Sequence, residues 1–222
     1  MGIKNSNIEI IRLSKDHSLN YFKEIAELHI SQIPHGAIRL LGPTLLSKIY
    51  YELSKAPKAG VWIAIENKKV LGFLTGCSDI RKTFKYLILK LWFHLISYAF
   101  CSFLEFNILK LIAILKYPFN TSLSISHKFQ DCKSVKAEIL SLVISPEIRK
   151  SGFGRKLVQA FEHSLQSWNV PGYYRVSSDL SETNSNAFYQ KAGFLPCHQV
   201  KLNNLILQVY LMKIDQLAEL KR

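Results

Sequence analysis

Among its four cysteines and seven histidines the chain has no Cys-x-x-Cys pair, no His-Glu-x-x-His and no other metal-ligand spacing. A zinc site or a disulfide framework is therefore not expected, and the widely separated Cys77, Cys101, Cys132 and Cys197 read as reduced thiols. The absence of Gly-x-x-x-x-Gly-Lys-Ser/Thr removes a P-loop, and no third glycine completes a dinucleotide fingerprint. No basic-then-apolar leader opens the sequence, so a cytoplasmic location is expected. Internal repeats and low-complexity tracts are missing too. The longest charge-free run, Leu91 to Leu104, covers 14 residues, too few to span a bilayer. Acidic residues are scarce: 16 Asp and Glu stand against 29 Lys and Arg, a formal net charge of +13. Such an excess favours an anionic partner. The basic residues outside residues 80–133 and one glycine turn are scattered rather than striped, so nucleic acid is not the expected one.

What is present suits a globular protein. The 222 residues are 48% hydrophobic and 20% charged, enough for a single domain over 1–222 with an insertion. Ile8 to Leu13 alternates as a strand. Leu19, Phe22, Ile25, Ala26 and Ile30 carry helical spacing over His17 to Ile33. Pro34-His35-Gly36 breaks that helix, and Pro43 opens a second that runs to about Lys55. Val61–Ile65 and Val70–Leu74 flank a turn and read as a hairpin. After a hydrophobic stretch at about 80–133 come a strand (Ala137–Ile144), a helix (Gly152–Trp168), a strand (Tyr173–Ser178) and a short helix (Asn184–Ala192). Two short strands finish the pattern. The mixture predicts an α/β (α+β) domain: a mixed central sheet with flanking helices and an inserted helical pair.

The junction Arg149-Lys150-Ser151-Gly152-Phe153-Gly154 ends one strand and opens one helix. A helix start carries unpaired N–H groups and the positive end of the dipole, and it attracts phosphate. Glycines let the backbone approach a bulky diphosphate, and Arg149, Lys150, Arg155 and Lys156 add positive charge. Alone, Gly-x-Gly is a weak signal and reads better as a plain strand-to-helix turn. Its context is more specific. Arg149-x-x-Gly152-x-Gly154 after Val143-Ile144-Ser145-Pro146-Glu147 resembles the acetyl-CoA pyrophosphate loop of the GNAT N-acetyltransferase family. Asn186-Ala187-Phe188-Tyr189-Gln190-Lys191-Ala192-Gly193-Phe194 resembles that family's second motif, and the order of elements matches over nearly the whole chain outside residues 80–133.

The resemblance implies an acetyl-CoA-dependent N-acetyltransferase acting on a primary amine, with no metal. It implies that two neighbouring parallel strands, Ala137–Ile144 and Tyr173–Ser178, splay to admit acetyl-CoA. Backbone groups of Leu142, Val143 and Ile144 would meet the pantetheine arm and thioester, and the amides of Lys150, Ser151, Gly152, Phe153, Gly154 and Arg155, with Arg149, the pyrophosphate. An alkylammonium of pKa about 10 is roughly one part in a thousand neutral near pH 7, so a general base is useful. Glu138 matches the catalytic glutamate of the histone-acetylating branch. Alternation places it on one face with Leu140 and Leu142. A solvated strand-end glutamate is the plainer reading. Tyr189 matches the family's general acid for the leaving thiolate, with a core tyrosine as its plainer reading. The family often has asparagine seven residues before that tyrosine; here Glu182 stands there, and Asn186 is the nearby candidate for the pantetheine.

The loop between the first two helices offers His35, as a proton-handling group, and Arg39, as a reader of an acceptor carboxylate or phosphate; His35 reads better as a residue that caps or orients the loop, and Arg39 equally as a solvated loop arginine. For residues 80–133 three readings stand: helices packed on the domain or on a second subunit, as in a homodimer; peripheral contact with an acidic membrane through residues 82–117; or a tunnel for a long acceptor. Acceptors compatible with the charge include an amino sugar, a nucleotide-linked amino sugar or a peptide amine. The rival class is a non-catalytic acyl-CoA-binding or membrane-associated protein of the same fold.

Overall fold

The computed structural model describes residues 7–33, 41–104, 134–202 and 205–214, with 95–104 and Leu202 as backbone alone. Its strands are β1 (Glu9–Arg12), β2 (Ala59–Glu66), β3 (Lys69–Cys77), β4 (Ala137–Ile144), β5 (Tyr173–Asp179), β6 (Leu195–Leu202) and β7 (Leu205–Lys213). Its helices are α1 (Leu19–Gln32), α2 (Gly42–Lys55), α3 (Ile80–Leu104), α4 (Phe153–Ser167) and α5 (Thr183–Lys191). The strands form one seven-stranded sheet in the order β1-β2-β3-β4-β5-β7-β6. β4 and β5 run parallel, and the other neighbouring pairs are antiparallel. The expected mixed sheet with flanking helices is what the chain forms.

Local chemistry accounts for the elements. Ser18 caps α1, its hydroxyl accepting from the Asn20 amide at 3.2 Å. Pro43 sits in the first turn of α2, where its missing N–H costs nothing. The β2–β3 turn is the pair Asn67-Lys68, both at positive φ (49° and 65°), the backbone a two-residue hairpin needs. Helices cover both faces of the sheet. On one face Phe22, Ile25, Leu46 and Leu53 from α1 and α2 pack on Val61, Ile63 and Phe73. On the other, Leu157, Phe161 and Leu165 from α4 pack on Trp62, Leu74 and Tyr174. Each such side chain, fully buried, contributes about 1.5–3 kcal/mol. The α4 layer sits so close that a Cβ on Gly76 would lie 2.6 Å from the Phe161 ring.

Two expectations need correction. Strand alternation does not hold through β4. Thr75 pairs with Ser141 but Gly76 pairs with Ile139, so Leu140 is an extra residue in a bulge. Beyond it the faces exchange: Leu140 packs with the α1–α2 layer, whereas Leu142 packs with the α4 layer. Glu138 therefore does not share a face with Leu142. The cysteines are not all reduced either. Cys77 is a free, buried thiol, but Cys197 is disulfide-bonded. Spacing along the chain does not say which cysteines meet in space. Among the described residues no helix is long and apolar enough to cross a membrane.

Candidate active site

β4 and β5 pair over three residues only: Ala137 with Tyr174, Glu138 with Arg175 and Ile139 with Val176. Past that point β4 continues five residues alongside β3 to Ile144, and β5 continues alongside β7 to Asp179. The two strands diverge from the Leu140 bulge onward, so each turns an edge without a ladder partner toward the other. Open edges of this kind carry backbone N–H and C=O groups that need hydrogen-bonding partners. An amide-bearing chain laid between them would satisfy both edges.

The turn after β4 closes one end of this opening. Lys150 and Gly152 both have positive φ (63° and 86°), and α4 begins at Phe153. The first intrahelical bond runs from the Lys156 N–H to the Gly152 carbonyl, 3.1 Å. The amides of Phe153, Gly154 and Arg155 thus precede the helical ladder and face outward at its positive end. Lys150, Ser151, Gly152 and Arg155 are exposed. The two glycines serve different needs. Around Gly152 there is open space, and its backbone angle is what disfavours a side chain. At Gly154 a Cβ would lie 3.1 Å from the Phe188 ring, so the missing side chain there makes room for α5. Arg149 is partly committed: its Nη2 donates to Gln32 Oε1 at 2.6 Å and its Nε to the Ile144 carbonyl at 3.2 Å. The Ser151 hydroxyl donates to the Ile148 carbonyl.

Glu138 stands one residue before the divergence and is buried, not solvated: 2% of it is exposed. Its Oε2 accepts from Arg175 Nε and Nη2, both at 2.7 Å. Arg175, itself buried, was not anticipated. The register across the parallel pair sets the two residues side by side, and that register is not written in either strand alone. Tyr189, on α5, is also buried, ringed by Phe188, Phe194 and Tyr210. Burial pushes its phenol well above the ordinary value, so it stays protonated at neutral pH. Asn186 is engaged in the fold: its Nδ2 donates to the carbonyls of Asp179, Glu182 and Leu180, and its Oδ1 accepts from the Tyr210 hydroxyl at 3.0 Å. It fastens the end of β5 to α5, where a contact to pantetheine was expected.

A diverging parallel pair, a left-handed turn and an open helix start form one arrangement. The sequence model of the Acetyltransferase (GNAT) family matches residues 24–194. The chain belongs to the GNAT family. GNAT membership makes it an acetyl-CoA-dependent acetyltransferase. No curated protein matches its sequence significantly. Solved GNAT structures share its fold at low identity. An N-acetyltransferase from Staphylococcus aureus Mu50 is 17% identical, with 94% of this chain and 99% of that one covered and a TM-score of 0.56. YncA of Salmonella typhimurium, an acetyltransferase solved with its cofactor acetyl-CoA, is 15% identical over 94% and 95% at 0.56. The ribosomal-protein-S18-alanine N-acetyltransferase of Escherichia coli is 9% identical over 93% and 94% at 0.55.

On the α1–α2 side of this GNAT sheet lies a polar cluster that composition did not reveal. Tyr50 Oη and His29 Nδ1 are 2.5 Å apart, and Thr75, opposite Ser141, keeps a buried hydroxyl without a partner among the described residues. Burial lowers the His29 pKa to about 4, leaving a neutral imidazole. His29 could have been found, since it continues the buried stripe of Phe22, Ile25 and Ala26. His35 and Arg39 lie outside the described residues, as does the second apolar run of the insertion, Phe106 to Leu115. No group of three or more His, Cys, Asp and Glu residues that could hold a metal occurs among the described residues.

Proposed function

We propose that the protein transfers the acetyl group of acetyl-CoA to a primary amine, carried by an amino sugar, a nucleotide-linked amino sugar or a peptide. The observation that carries this reading is the divergence of β4 from β5 after Ile139, directly ahead of the glycine turn. In this reading the edge at Leu142, Val143 and Ile144 binds the pantetheine and polarises the thioester carbonyl. The amides from Lys150 to Arg155 hold the pyrophosphate. The amine nitrogen attacks the carbonyl carbon, the carbon–sulfur bond breaks, and Tyr189 gives its proton to the departing thiolate. Glu138, held by Arg175, takes the proton from the amine through water. His35 and Arg39 contact the acceptor. The chain acts as one domain with a helical insertion at about 80–133.

A second reading keeps the acetyl transfer but leaves Glu138 a structural residue, and the buried Glu138–Arg175 ion pair favours it. An acetyl-CoA-dependent screen of amines, amino sugars and peptides, followed as free thiol release, separates them. Catalysis gives amine-dependent release that Glu138→Gln and Tyr189→Phe both slow. Full release by Glu138→Gln leaves the second reading, and no release above buffer for any amine contradicts transfer to a primary amine.

A further inference from the structure

Helix α3 leaves the sheet edge after Cys77 with two unlike faces. Ile80, Thr83, Leu87 and Leu91 are buried against the α1–α2 layer. On the opposite side Leu89, Trp92 and Phe93 are 64%, 50% and 65% exposed, and the Trp92 and Phe93 rings touch at 4.2 Å between centroids. Large apolar side chains clustered at this exposure mark an interaction surface rather than ordinary surface scatter. Lys82 and Lys85 stand on the same face at three- and four-residue spacing, and Arg81 and Lys90 border it; all four are exposed. No Asp or Glu occurs from Ile80 to Leu104.

We propose that this face of α3 docks on the acidic surface of a lipid bilayer. The occupant is chosen by charge and side-chain type together. Exposed aromatic and leucine side chains bordered by lysines suit the boundary between headgroups and acyl chains, where the rings lie in the interface and the ammonium groups reach phosphate. A second copy of the chain fits poorly, since a twofold contact through this face would set Lys82 and Lys85 against their own counterparts. The helix lies on the membrane and does not cross it, in keeping with its four basic residues and its buried opposite face.

The test uses the full chain and vesicles of phosphatidylcholine with or without phosphatidylglycerol. Expected are co-sedimentation with the anionic vesicles, weakening as salt rises, and little with the neutral ones. Trp92→Ser with Phe93→Ser should weaken binding at least about tenfold, and Lys82→Glu with Lys85→Glu similarly. Both pairs are exposed, so thermal midpoint and acetyl-CoA affinity should match the parent. No association with anionic vesicles at low salt would overturn the proposal. So would equal binding by the Trp92/Phe93 variant. If gel filtration showed a dimer that this variant dissolves while vesicle binding persists, the face belongs to a second copy instead.

Discussion

Glu138 and Arg175 face each other across the parallel strand pair, the carboxylate Oε2 2.7 Å from two guanidinium nitrogens, one residue before the strands part. Both are buried. The pair therefore ties together the strands at the root of the cofactor cleft, and it also places a negative charge at that root. Removing one partner strands a buried charge, which costs about 3–5 kcal/mol. Arg175→Leu should lower stability by that order, read from the urea midpoint. Glu138→Leu with Arg175→Leu should recover most of the stability and still lack amine-dependent turnover. A double variant that turned over normally would reduce the pair to a structural tie.

The two glycines of the turn should respond differently to substitution. Gly152→Val forces a branched side chain to φ near 86° and crowds the amides, so acetyl-CoA affinity should fall steeply in calorimetry. Gly154→Ala acts through the Phe188 ring, 3.1 Å from the new Cβ. Its loss of affinity should be smaller and should be partly restored by Phe188→Leu. Failure of that rescue would place the effect at the ligand rather than at α5.

Tyr189→Phe removes the acid while keeping the ring against Phe194 and Tyr210. Turnover should drop by about a hundredfold or more with acetyl-CoA affinity nearly unchanged. Retention of the full rate would leave Tyr189 a packing residue.

His29 makes stability depend on pH. Its folded pKa of about 4 lies below the ordinary 6.5, so between those values the unfolded chain binds a proton the folded one does not. Its contribution is complete above pH 6.5 and is lost as pH falls toward 4, on the order of 3 kcal/mol over the window. Urea midpoints at pH 7 and pH 5 should show the decline, and His29→Gln should flatten it. An unchanged slope in that variant would mean other groups titrate there.

Much of the fold was legible because local pattern and tertiary role agree. The apolar stripe Leu157, Val158, Phe161, Leu165 is the buried face of α4, and Pro43 and Gly193 fall at the helix start and helix end where their chemistry puts them. The glycine turn was legible for a related reason: its residue types match its backbone angles. What escaped depends on register between distant strands. The Leu140 bulge moves Leu142 to the other face, and only pairing with β3 reveals it. Arg175 looked like a strand residue until parallel pairing set it beside Glu138. Asn186 carries the right chemistry for a cofactor contact, yet its amide is spent on the carbonyls that end β5.

The most direct test is mass spectrometry of primary amines incubated with the protein and acetyl-CoA labelled in its acetyl group. The labelled acetyl should appear on the nitrogen of at least one amine, in step with free thiol, and Gly152→Val should abolish it at limiting acetyl-CoA. Labelled acetate or untouched acetyl-CoA, with no N-acetyl product from any amine while acetyl-CoA still binds, would contradict acetyl transfer by this cleft.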